Sequence, residues 1–129
     1  MLAWRISRLD PSGPDRLIGE LRLAQWAASV FAAISAISIG LALANLSAPL
    51  AHVDAAMGVM FAGAAGFILQ RDPREALLLL AVGFGTHALV DIAHRPGWLS
   101  PDLAPRWYMI GGATFDVYVA ALCYWARRQ

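Results

Sequence analysis

The sequence predicts an all-α fold, namely a polytopic membrane protein built as an antiparallel bundle of four transmembrane helices. Of its 129 residues, 59% are hydrophobic and only 15% are charged, with a mean hydropathy of +0.56. A soluble domain of this size would lack the polar residues to cover its surface. The apolar residues also form four blocks, each long enough to cross roughly 30 Å of hydrocarbon as a helix. These observations exclude a soluble enzyme, a nucleic-acid-binding domain and a disordered chain.

The four predicted spans cover residues 21–46, 48–70, 73–94 and 107–126. Together they form one transmembrane domain over residues 21–126. We expect residues 1–20 to form a cytoplasmic or interfacial segment and residues 127–129 to form a cytoplasmic tail. The blocks lack the two-residue alternation of barrel strands, so helices are the structure that can satisfy their backbone in lipid.

Start signals and links support this division. Ser47-Ala48-Pro49 can open the second helix, and Asp72, Pro73 and Glu75 predict a capping box at the start of the third. Short links join helix one to helix two and helix two to helix three, so we expect both pairs to be antiparallel neighbours. The link over residues 95–106 is longer, and its three prolines predict a stiff cap.

The distribution of arginine predicts the orientation in the membrane. All ten basic residues are arginine. Eight fall in or directly beside the N-terminal segment, the second link and the tail, whereas only Arg95 and Arg106 fall on the other side. The positive-inside rule then predicts a cell inner membrane protein with both termini in the cytoplasm. The alternative that the first block is a signal peptide is disfavoured, because its apolar run exceeds the usual 7–15 residues.

Ionisable residues inside three of the spans are the candidate functional residues. Such residues are costly in lipid and usually face the interior of a bundle or a water-filled cavity. At about 1.5 Å per residue, all of them fall in the outer half of the membrane. They are His52 and Asp54 in helix two, His87, Asp91 and His94 in helix three, and Asp116 in helix four.

Helical spacing predicts which of these side chains face inward. His87, Asp91 and His94 lie within about 60° of one another, on a face that also carries Gly83. The face of Asp116 carries Gly112, Ala120 and Cys123, and the face of His52 carries Ala56, Gly63 and Gly66. Small residues let helices approach closely in lipid, so we expect these three faces to meet at the centre of the bundle. Asp54 lies about 200° from His52 and is expected outside the cluster.

The predicted cluster allows three interpretations. It is a nitrogen and oxygen ligand set for a divalent metal such as zinc or iron, a structural polar network, or a site that handles protons or a small substrate. A haem would need two histidines facing each other, and His52 and His94 lie near the surface, so a metal ion is favoured over haem. The predicted metal ligands are His52, His87, Asp91, His94 and Asp116.

Two classes of function remain. One is a small integral membrane protein that acts as a helix-bundle subunit or partner of a membrane complex, with an outward-facing polar cluster. The other is a membrane enzyme or transport unit that uses the cluster to bind a divalent metal, protons or a small substrate. The sequence favours the first, because so short a chain leaves little mass outside the membrane. The expected partners are the lipid bilayer and a homo-oligomer or larger membrane complex, with no nucleic acid. Cys123, the lone cysteine, is expected to be a packing residue.

Overall fold

The computed structural model describes residues 4, 6, 8, 9, 13–95, 98, 99 and 103–129 of the chain. Its four long helices are α1 (Pro14–Ala44), α2 (Ala51–Ile68), α3 (Pro73–Ala93) and α4 (Arg106–Arg128). All four are long and apolar enough to cross a membrane, and the described residues include no strand. The predicted four-helix fold is confirmed. Much of the expected segment 1–20 and, in the last link, Pro96 and Pro101 lie outside the described residues.

The helix ends differ from the prediction at two places. Helix α1 begins at Pro14, seven positions before the predicted span, because proline is favoured at the first helical position and no breaker follows it. Helix α2 begins at Ala51 and not at residue 48, because Leu50 adopts a left-handed backbone conformation (φ 65°) that interrupts the helical path.

The start of α3 is where it was predicted, but the capping box does not form. Asp72 occupies the N-cap position and makes no side-chain hydrogen bond to the helix. Glu75 instead lies 3.9 Å from the guanidinium of Arg71. The helix therefore begins through the conformation of Pro73 without the reciprocal hydrogen bonds of a box.

Two helical hairpins, α1–α2 and α3–α4, make up the bundle. Packing is most extensive within each hairpin, and the hairpins meet mainly along α1 and α3. Helices α2 and α3 are in contact, as expected of neighbours, but they pack far less extensively than the two helices within each hairpin. The short link between them sets their opposite directions but not the extent of their packing. The backbones of α2 and α4, both fully described, do not approach each other closely.

Three phenylalanines from three helices form the centre of the core. The ring of Phe31 lies 5.6 Å from the ring of Phe61 and 4.9 Å from that of Phe84, measured between centroids. Gly83 makes this packing possible, since a Cβ atom there would lie 3.1 Å from the Phe31 ring. Outward faces are equally apolar, with exposed Val59, Val82 and Leu89 among many others. Such helices, apolar on every side, are typical of a membrane interior.

Candidate functional site: a buried cluster of histidine and aspartate

A small cavity lies in the half of the bundle next to the α1–α2 and α3–α4 links. Its volume is about 60 Å³, enough for a few water molecules or a hydrated cation. All four helices contribute to its wall. The rings of Phe31 and Phe61 pack against the ring of His87, with centroids 6.2 and 5.2 Å away. The aromatic core thus forms the apolar end of the cavity and packs directly against its polar residues.

The first polar unit of the cavity is the pair His87 and Asp116. Nδ1 of His87 lies 2.7 Å from Oδ2 of Asp116, which is a short hydrogen bond between α3 and α4. The other ring nitrogen, Nε2, makes a long contact of 3.5 Å with the hydroxyl of Ser38. Because the Ser38 hydroxyl donates to the carbonyl of Ile34, its oxygen is free to accept from Nε2–H. A single proton then remains to be shared between Nδ1 and Asp116.

The second polar unit is the pair His94 and Asp54. Nδ1 of His94 lies 2.8 Å from the carbonyl oxygen of Val90, and a carbonyl can only accept, so Nδ1 carries a proton and donates it. Nε2 lies 3.1 Å from Oδ1 of Asp54. These two atoms also need one proton between them. The other carboxylate oxygen of Asp54, Oδ2, is buried and has no hydrogen-bond partner.

Asp91 stands apart from both pairs. It lines the cavity, and its Oδ2 lies 4.0 Å from Nδ1 of His87, too far for a hydrogen bond. No hydrogen bond joins Asp91 to any other residue that the structure describes. Each histidine–aspartate pair with one shared proton is neutral as a unit. An ionised Asp91 would therefore leave a negative charge in the cavity without a compensating cation.

Gly112 of α4 leaves room for the side chain of Asp91. A Cβ atom added at Gly112 would lie 2.5 Å from Oδ2 of Asp91, so a side chain at this position would force the carboxylate to shift. The predicted coincidence of small residues with the polar face of α4 is thus borne out, and Cys123 on the same face is fully buried, as expected of a packing residue.

The structure brings together three of the five predicted metal ligands. One ligand atom from each of His87, Asp91 and Asp116 falls within a group no wider than 4.8 Å. His94 lies in the same cavity but is engaged with Asp54 and the backbone. His52 is exposed on the outward face of α2, so its predicted inward orientation is wrong, and it does not face His94 as a shared haem would require.

For Asp54 the sequence predicts the wrong orientation, because it places this side chain outside the cluster. It is buried, 3% exposed, whereas Gly63 and Gly66, on the face predicted to be inward, have no neighbour within 4 Å of a would-be Cβ. A signal was present in the sequence. Asp54 is in register with Gly58, Phe61 and Ala65, at the spacing of one helix face, so that face carries one of the two phenylalanines of α2.

Comparisons with protein-family models, with curated proteins and with solved structures find no match to this chain. The fold and the site together define a class of protein, a multi-pass membrane protein of four helices with a buried histidine–aspartate group in its interior. The chemistry of the cavity residues is the basis for a more specific function.

Proposed function

We propose that this protein binds a divalent metal ion in its membrane-embedded cavity, through His87, Asp91 and Asp116. The observation that carries the proposal is the Asp91 carboxylate, which faces the cavity without a hydrogen bond from the described residues. A polar network that served only to fix the helices would be expected to satisfy its own members.

Charge balance favours a divalent ion over other cations. A 2+ ion bound by neutral His87 and the carboxylates of Asp91 and Asp116 would form a neutral group. Neutrality is valuable in an apolar interior, where an uncompensated charge is costly. The ion would take the place of the proton shared by His87 and Asp116, because metal ligands must be deprotonated. One imidazole and two carboxylates suit zinc, iron or manganese, with water completing the coordination.

The remaining polar groups would support such a site from outside. The oxygen of Ser38 would hold Nε2–H of His87 and so keep Nδ1 available to the ion, as outer partners of metal-bound histidines commonly do. The His94–Asp54 pair would add a second polar layer toward the links. The role we infer is that of a metal-binding unit of a membrane enzyme, transporter or complex in the cell inner membrane.

The test is metal analysis of the purified full-length protein in detergent. We expect about one equivalent of metal per chain after incubation with zinc, iron or manganese, and a melting temperature that falls when a chelator is added. His87→Ala, Asp91→Asn and Asp116→Asn should each lose the metal. His52→Ala is the matched control and should retain it, because that side chain is exposed. A wild-type protein that binds none of the three metals, with a melting temperature indifferent to chelator, would refute the proposal.

A second function is favoured by the two histidine–aspartate pairs themselves. They contribute two shared protons to one cavity, with Asp91 as a further proton acceptor, which is an arrangement suited to proton transfer along the cavity. In that case, vesicles containing the wild-type protein should pass protons without any metal. Asp91→Asn should abolish that flux and His52→Ala should preserve it.

A further inference from the structure

A second buried ionic cluster lies where the N-terminal ends of α1 and α3 meet, apart from the histidine–aspartate cavity. Arg16 and Glu20 of α1 are 2% and 1% exposed, and Nε of Arg16 lies 2.9 Å from Oε1 of Glu20. Arg74 of α3 reaches the same carboxylate, with its Nε 3.2 Å from Oε2. Two guanidinium groups thus share one carboxylate, and the three side chains carry a net charge of +1.

Arg16 has unused hydrogen-bonding capacity. Its Nη2 is buried and has no hydrogen-bond partner. Burying a charged donor without an acceptor is costly, so a buried guanidinium with an orphaned N–H group indicates a missing anionic partner. Glu20 does not supply it, because its oxygens accept from Nε of Arg16 and Nε of Arg74 but make no hydrogen bond with Nη2 of Arg16.

The space for that partner is present beside the cluster. A hollow of about 460 Å³ is lined by Arg16, Glu20 and Arg74 and by the first residues of both helices. Both helices begin with proline and neither has a side-chain cap, so their first N–H groups are unclaimed by side chains. Such N-terminal ends attract anions. Asp72 at the rim opposes an anion, but its side chain is exposed to solvent screening.

We propose that this hollow binds a phosphate group, held between Arg16 and Arg74 at the paired starts of α1 and α3. Arginine presents a planar fork of N–H donors that matches phosphate oxygens. The hollow also lies just before the apolar stretches that follow Glu20 and Glu75, at the level where lipid headgroups begin. The phosphate belongs either to an anionic lipid headgroup or to a free phosphate ion in solution, and the experiment separates these sources.

The experiment measures binding of two probes to the purified full-length protein in a neutral detergent. One probe is phosphatidylglycerol, followed by native mass spectrometry and by the melting temperature. The other is inorganic phosphate, followed by the melting temperature against an equal ionic strength of chloride. Binding of phosphatidylglycerol alone identifies a headgroup site, and a response to inorganic phosphate as well identifies a site for the free ion. Either outcome supports a phosphate site.

Variants tie the binding to the cluster. Arg16→Gln and Arg74→Gln should each weaken binding about ten- to a hundredfold, as expected for the loss of a charge-assisted hydrogen bond. Arg74 is half exposed, so its variant should fold even if the Arg16 variant does not. Arg71→Gln is the matched control, because Arg71 precedes Arg74 by three residues in the chain but does not line the hollow. Binding of neither probe, or an equal loss in the Arg71 and Arg74 variants, would overturn the proposal.

Discussion

Gly112 shows how a residue without a side chain can determine the site. Because a Cβ there would lie 2.5 Å from Oδ2 of Asp91, we expect Gly112→Ala to push that carboxylate away from His87 and Asp116. Metal affinity should fall about tenfold or more, the range seen when ligand positioning is disturbed. Isothermal titration with zinc would measure it. Gly111→Ala is the control, since nothing lies within 4 Å of its Cβ position. Equal affinities in the two variants would contradict this account of Gly112.

The His94–Asp54 pair makes a second prediction at the residue scale. Removing either partner leaves the other buried without its hydrogen bond, so His94→Ala and Asp54→Ala should each lower the free energy of unfolding by about 1–3 kcal/mol. The double variant should cost less than the sum of the single ones, because both orphaned groups are then gone. A double-variant cycle from reversible denaturation in detergent would measure this coupling. Strict additivity would mean that the 3.1 Å contact contributes nothing to stability.

Glycine sets the spacing of the helices as well as the place of a side chain. At Gly58 of α2 a Cβ would lie 2.6 Å from Cγ1 of Ile39 and 3.2 Å from the backbone oxygen of Ser35. We expect Gly58→Ala to separate α1 from α2 and to lower the free energy of unfolding by about 1–3 kcal/mol, as overpacking does. Gly63→Ala, on the open face of the same helix, should leave it nearly unchanged. Thermal unfolding of both variants would measure the difference, and a stable Gly58 variant would argue against a tight α1–α2 contact.

The sequence predicts the helices better than it predicts their faces. Length, hydropathy and proline place α3 and α4 within about two residues of their observed ends, because lipid demands long apolar helices whatever their neighbours are. The inward face of α2 could not be read in the same way. Its residues are apolar all round, so no amphipathic period separates the face of His52 from that of Asp54. Faces with a strong polar stripe, such as that of His87 and Asp91, were assigned correctly.

The spacing of residues within one helix cannot predict the contacts between helices that complete the site. The spacing of His87 and Asp91 follows from one helix, whereas the 2.7 Å approach of Asp116 depends on how α4 packs on α3. The pairing of Asp54 with His94 likewise depends on how α2 packs on α3. The burial of Arg16 and Glu20, which form the second cluster, is not predictable from the sequence, because both residues precede the predicted first span.

At the scale of the whole molecule, the unequal distribution of arginine predicts how the bundle is inserted. We expect the C-terminus to lie in the cytoplasm and residues 97–104 to lie on the opposite side, because eight arginines stand against two. Paired reporter fusions, one active only in the cytoplasm and one only outside it, would measure this at both positions. Activity of the same reporter at the two positions would be incompatible with an even number of spans.

The backbones of α2 and α4 do not approach each other closely, so the two hairpins pack through α1 and α3 and through a few side chains of α2. The hairpins are joined mainly along α1 and α3, but a rotation of one against the other would also break the Asp54–His94 hydrogen bond and the Phe61–His87 ring contact. The histidine–aspartate residues lie on both sides of this rotation, with Asp54 on one hairpin and His87, Asp91, His94 and Asp116 on the other. A cation bound by His87, Asp91 and Asp116 would tie α3 to α4 within one hairpin, whereas the Asp54–His94 pair is a buried polar contact of the cavity that joins the two hairpins and resists its opening toward lipid.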